Sequence, residues 1–162
     1  MLETWRQIWR DGFAPCLSIE SLQALLHALE TDDQRLLQGT TTEPPPLLCT
    51  ADWPIKGGCI LGYCGAVENG GFCVDTNGKE LPDVNVMPFK YATVRSVEEF
   101  FAKACFDADQ LLGEPGGCRH FLNWFDDTPR DEMRRELAAE VRRSIGEREI
   151  VKQPSDGEGV SA

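Results

Sequence analysis

S-V-E-E-F-F-A-K-A-C-F-D-A-D-Q-L-L-G-E-P-G-G-C-R-H-F-L-N-W-F-D-D-T-P-R-D-E-M-R-R-E-L-A-A-E-V-R-R-S-I, Ser96 to Ile145, is the stretch whose reading decides the fold. Val97, Phe100, Phe101, Ala104, Cys105, Ala108, Leu111 and Leu112 recur at i, i+3, i+4, i+7, i+8, i+11, i+14 and i+15, one apolar face at the helical period. Ser96 and Glu99 have the spacing of a capping box, and Gly113 offers the positive φ that ends a helix. After Pro115 the period resumes with Cys118, Phe121, Leu122 and Phe125, and Thr128-Pro129 reads as an N-cap followed by proline at the first helical position. The third helix has a narrow stripe, Met133, Leu137, Val141 and Ile145, flanked by opposite charges at helical spacing such as Asp131 with Arg135 and Arg143 with Glu147. It is expected to lie on the outside, one edge down. The fold class that follows is mostly α: a compact helical bundle, one domain over residues 1–150.

Working outward to the N-terminus, Trp5, Ile8 and Trp9 share one side of a short helix, with Arg6 and Arg10 on other faces. Such aromatic area at a terminus is expected to dock on the bundle; the alternative makes Trp5 and Trp9, with Trp124, binding residues. Leu17, Ser18 and Leu22 match a hydrophobic staple around an N-cap, and Leu22, Leu25, Leu26 and Leu29 form the stripe of a helix ending near Glu30, with His27 on its solvated face. Residues 32–38 are expected to add one or two turns, stopped by Gly39. Pro44-Pro45-Pro46 then makes an extended spacer.

From Asp52 to Gly71 glycines alternate with Cys59, Ile60, Leu61, Tyr63, Cys64 and Val67. A buried small-residue helix capped at Asp52 or Trp53 is expected, with a buried strand as the alternative, and Gly58 and Gly62 would admit a neighbouring helix. No nucleotide fingerprint is present: G-x-G-x-x-G is missing, and Gly71 to Gly78-Lys79-Glu80 has the wrong spacing and no Ser or Thr for magnesium. Asn77-Gly78 between Phe72–Thr76 and Lys79–Leu81 predicts a β-hairpin with a type I′ turn. Pro82 and Pro88 keep the rest of the 70–95 segment irregular. The tail, 151–162, has the composition of a disordered end.

The net charge is −11 and unevenly placed: residues 1–127 carry 19 acidic and 9 basic side chains, residues 128–162 carry 8 and 7. An acidic body argues against a grip on nucleic acid or anionic lipid and suits a basic protein partner. No apolar run spans a membrane and the N-terminus lacks a secretion signal, so a cytoplasmic setting is expected, with all seven cysteines as thiols rather than a disulfide framework.

The cysteines and histidines do not form a zinc pattern, since no C-x-x-C occurs and Cys59 and Cys64 would diverge on one helix; no metal or cofactor is expected. The catalytic alternative pairs His120 with Cys64, or with Cys59 or Cys73, and uses Asp127 or Asp126 as the orienting carboxylate. Its competing reading is a solvated helix edge. The leading expectation is therefore a non-enzymatic interaction module, an adaptor or an inhibitor of a basic partner, with a small thiol-dependent enzyme as the alternative.

W-R-Q-I-W-R-D-G-F-A-P (Trp5 to Pro15), A-D-W-P (Ala51 to Pro54) and L-N-W-F-D-D-T-P-R-D-E-M-R-R-E-L (Leu122 to Leu137) resemble a family of small bacterial proteins with no assigned activity. The resemblance covers most of the chain outside about 70–93. It implies a bacterial cytoplasmic setting and transfers no catalytic residue.

Overall fold

In the computed structural model, residues 3–161 are described, with side chains through residue 150; the tail expected to be disordered, 151–162, lies outside the residues described in full. The architecture is mostly α. An N-terminal helical run is made of α1 (Thr4–Ile8), a π-helical turn (Trp9–Phe13) and α2 (Ala14–Cys16). It is followed by α3 (Ile19–Thr31), α4 (Ile60–Glu68), α5 (Val94–Leu112), α6 (Gly117–Asp127) and α7 (Arg130–Ser161). A two-stranded antiparallel sheet joins β1 (Thr42–Glu43) to β2 (Gly57–Gly58), in the register Thr42 to Gly58 and Glu43 to Gly57. Among the described residues no helix is long and apolar enough to cross a membrane.

The core forms where the three helices of the deciding stretch meet the N-terminal run. Trp5 stacks on Trp124 with ring centroids 3.5 Å apart, and Phe121 lies 5.3 Å from Phe13 and 5.8 Å from Trp9. Trp9 is fully buried, and its indole N–H donates to Ser144 Oγ at 3.0 Å, so the polar edge of the ring is satisfied. Helix α4 is buried on nearly every side, from Ile60 to Ala66, and packs against α3 and α5. Helix α7 packs on α3, while α6 packs on α1 and α5.

Several local readings are corrected. Helix α5 starts three residues early, because Thr93 and Ser96 form the capping box: Thr93 Oγ1 accepts from Ser96 N at 3.1 Å and Ser96 Oγ accepts from Thr93 N at 2.9 Å. Thr128 does not cap α7 with its side chain; its hydroxyl donates back to the Trp124 carbonyl of α6 at 2.6 Å. Helix α7 does keep an outer face, with Asp131, Glu132, Arg135, Ala139, Arg142 and Arg143 exposed, but its buried edge is wider than expected. Its buried stripe includes Ala138, Glu140 and Ser144 beside Met133, Leu137 and Val141, which an apolar pattern cannot reveal. Glu140 tolerates burial because Arg10 donates to it from Nε and Nη2 at 2.6 and 2.9 Å and Arg6 from Nη1 at 3.0 Å.

Residues 32–38 make no further helical turn. Asp32 takes a left-handed φ of 55° after α3, and buried Asp33 receives a fork of bonds from Arg35 and the hydroxyl of Tyr63 at 2.9 Å. Leu36 then bridges to Gly58. Helix α4 begins at Ile60, with Cys59 rather than Asp52 or Trp53 at its N-cap. Gly57 and Gly58 are the strand before it. The close neighbour of Gly62 is a loop, not a helix: a Cβ there would stand 2.4 Å from the Thr41 carbonyl oxygen.

The hairpin is present at its smallest, as the antiparallel bridge Val74 to Glu80. Its turn is not type I′, since Asn77 keeps a negative φ and only Gly78, at φ 82°, is left-handed. Gly78 N donates to the Asp75 carbonyl at 3.0 Å, and the Asp75 carboxylate accepts from Asn77 N and Lys79 N. A tight turn followed by a left-handed glycine is the longer hairpin loop, selected by the aspartate two residues before Asn77. One disulfide, Cys105 to Cys118 with Cα atoms 5.4 Å apart, replaces two of the seven expected thiols. It links α5 to α6.

Candidate binding surface

Two loops, residues 44–56 and 72–93, are sewn together beside the bundle by the main-chain bonds Ile55 N to Ala92 O and Cys73 N to Ile55 O, and Val94 N at the start of α5 donates to Trp53 O, each at 3.0 Å. Cys73, Val74, Val84 and Tyr91, with Leu81 beside them, form a small core of their own beneath these loops. Asp83 locks the second loop by accepting from Lys90 Nζ and Tyr91 Oη. The Lys90 bond first, and the Tyr91 bond second, hold the Asp83 carboxyl below its ordinary range.

This scaffold turns apolar side chains outward. Buried Thr50 pins the first loop through its hydroxyl, which accepts from Leu47 N and donates to the Pro45 carbonyl, both at 2.9 Å. The 3₁₀ turn Leu48–Thr50 then presents Leu48, 99% exposed, with Leu47 beside it. A second 3₁₀ turn, Pro88–Lys90, presents Phe89 at 76%, and Val86 and Met87 are exposed just before it. Between the loops runs a groove of about 360 Å³ whose walls are Pro44, Pro54, Val84 and Trp53, the last 54% exposed. Its charged rim is Glu43 and Glu80 with the single cation Lys56.

The charge balance of the whole surface follows from which cations are already used. Arg6 and Arg10 pair with Glu136 and Glu140, Arg35 with Asp33, Arg130 and Arg134 with Asp32, Arg142 with Glu30, Arg143 with Glu147, Arg95 with Asp52, Lys90 with Asp83 and Lys103 with Asp107. Arg148 is held by the carbonyls of Ala14, Pro15 and Leu17. Among the described residues this leaves Lys56, Lys79, Arg119 and Arg135 outside such bonds. The acidic surplus is what meets solvent.

The residues singled out in the sequence fall elsewhere. Trp5 and Trp9 are 4% and 0% exposed and face the core, and Trp124 is half-buried in the stack on Trp5. His120 is exposed and lines a cavity of about 490 Å³ with Thr4, Gln7, Ile8, Asp11 and Glu114 among others. Neither Cys64 nor Asp127 lines that cavity. Cys64 is wholly buried in α4, and burial pushes its thiol far up; burial also pushes Cys59 up to about 11. Asp127 is exposed at the C-terminal end of α6. Cys59 and Asp126 do meet at a small cavity of about 110 Å³, where Asp126 accepts from Gly39 N at 2.9 Å, but His120 is not part of it. Cys73 lies at the floor of the Trp53 groove, with its thiol raised by burial. Among the described residues no group of three or more His, Cys, Asp and Glu side chains converges as metal ligands.

The sequence reading missed Leu47, Leu48, Trp53, Val86, Met87 and Phe89. Local pattern does not mark them, since Val84, between the same two prolines as Val86 and Met87, is buried. The chain matches no protein-family model, no curated protein and no solved structure.

Proposed function

We propose that the protein is a non-enzymatic interaction module that binds a basic protein segment across the groove between the 44–56 and 72–93 loops. The observation that carries this reading is Trp53, half-exposed on the wall of a groove between two loops tied by main-chain bonds, with Leu47, Leu48, Val86, Met87 and Phe89 exposed on the same loops. Exposed aromatic and aliphatic anchors on a fixed scaffold lose little conformational freedom on binding. The occupant is a basic segment and not a second copy, because a copy would oppose a chain of net charge −11 with itself. Nucleic acid is disfavoured by the same surplus. A cytoplasmic setting goes with this reading: five of the seven cysteines carry no bridge, and the Cys105–Cys118 pair is the exception.

The test is capture followed by a titration. Proteins retained from lysate by the native chain are produced pure and titrated calorimetrically with the native chain and with Trp53→Ala. The reading expects a basic partner whose affinity falls roughly 30-fold on loss of Trp53, the scale of a binding hot spot, and falls further as salt rises. A partner bound equally well by Trp53→Ala, or one that is acidic, contradicts it.

A further inference from the structure

We propose that Cys105 and Cys118 form a reversible dithiol–disulfide couple that latches the first turn of α6 onto α5, so that thiol oxidants close this corner and reductants open it. Three separate observations meet at the corner. The bridge joins Cys105, seven residues before the end of α5, to the second residue of α6, and both cysteines are only partly buried, within reach of a small-molecule disulfide. Helix α6 starts without a side-chain cap: its N-cap is Gly116, at φ 92°, following Gly113 at φ 78°. Two left-handed glycines fix a sharp reversal, yet supply no hydrogen bond to the free amides of the first turn.

The third observation is Asp109. Its Oδ1 is buried with no protein donor in reach, and a Cβ placed on Gly117 would come within 3.3 Å of it. A buried carboxylate oxygen without a partner disfavours the closed corner, and opening would return it to water. Packing of Phe121 and Phe125 holds the body of α6, and the covalent bond is what adds to it at the first turn against both the missing cap and this carboxylate. That turn also supplies Gly117 and His120 to the cavity shared with Thr4, Gln7 and Ile8, so reduction removes one wall of the cavity.

The exchange is balanced with glutathione disulfide as oxidant. The two protein thiols lose two protons and two electrons, one S–S bond forms between Cys105 and Cys118, the S–S bond of glutathione disulfide breaks, and two molecules of glutathione leave. Reduction is the reverse.

The test uses the full chain equilibrated in buffers from reduced to oxidised glutathione. Each sample is alkylated and mapped by peptide mass spectrometry, and parallel samples undergo amide hydrogen exchange. The proposal expects Cys105 and Cys118 to change together from both alkylated to neither, with no glutathione adduct at equilibrium. It also expects exchange at His120, whose amide donates to the Gly116 carbonyl, and at Phe121 to speed up about tenfold or more on reduction while α4 is unchanged. Cys118→Ser should match the reduced native chain in every buffer; if it does not fold, the reduced native chain carries the comparison alone. Alkylation of both cysteines in the oxidising buffer, a stable mixed disulfide, or equal exchange in both states overturns the proposal.

Discussion

Replacing Glu140 by glutamine tests the account of why α7 belongs to the core. The Glu140 side chain is 5% exposed and takes bonds from Arg10 Nε at 2.6 Å, Arg10 Nη2 at 2.9 Å and Arg6 Nη1 at 3.0 Å. Glutamine keeps the shape but removes the charge, and sets one amide N–H₂ against guanidinium donors. Breaking a buried pair costs about 3–5 kcal/mol. The cost here should be nearer 2–3 kcal/mol, since the arginines are 20% and 26% exposed and Arg6 keeps Glu136 at 2.5 Å. With an m-value of about 2 kcal/mol/M, the urea midpoint should fall by roughly 1–1.5 M, read from tryptophan fluorescence. The bonds from Arg10 first, and then Arg6, hold the Glu140 carboxyl below its ordinary range, against the opposing effect of burial. A carboxyl depressed in the folded state stabilises fully above its unfolded value, about 4.3, and loses that contribution as pH falls through the folded value. The penalty of Glu140→Gln should therefore shrink on acidification below about pH 4. A midpoint shift under about 0.25 M at pH 7, or a penalty that grows in acid, refutes the reasoning.

Three further outcomes follow from single contacts. Tyr63→Phe removes the 2.9 Å hydroxyl bond to buried Asp33 and should cost about 1–2 kcal/mol in thermal or urea unfolding, with Arg35 still paired to the carboxylate. Gly62→Ala sets a Cβ 2.4 Å from the Thr41 carbonyl oxygen, and either the loop shifts or α4 does; a loss of about 1–3 kcal/mol is expected, and a neutral result contradicts the packing. Leu48→Ser, at a side chain 99% exposed, should leave stability within about 0.5 kcal/mol while weakening partner binding, so circular dichroism melts and calorimetry should part company.

How much of this was legible depends on what each element relies on. Helices α3, α5 and α6 carry wide apolar faces, and a face of that kind constrains its own burial whatever it packs against. The buried face of helix α7 reads too narrow because two of its residues, Glu140 and Ser144, are polar, and their partners Arg10, Arg6 and Trp9 lie more than a hundred residues away. The cluster of Asp33, Arg35 and Tyr63, whose tyrosine is 30 residues from the aspartate, turns the chain where local spacing suggests more helix. Turn chemistry fell between these cases: Asn77-Gly78 marked the hairpin, but Asp75 selected a different loop by accepting two backbone bonds. The surface was the least legible part. Only contacts between separate loops reveal that Leu48 and Phe89 are displayed rather than buried.

The central claim is that Trp53 and the two loops beside it form the docking face. The most direct measurement is the dissociation constant of the purified partner for the native chain, for Trp53→Ala and for His120→Ala, at low and moderate salt. The account predicts a roughly 30-fold loss for Trp53→Ala, none for His120→Ala, and weaker binding as salt rises. Equal affinity for the native chain and Trp53→Ala, or a loss confined to His120→Ala, would contradict it.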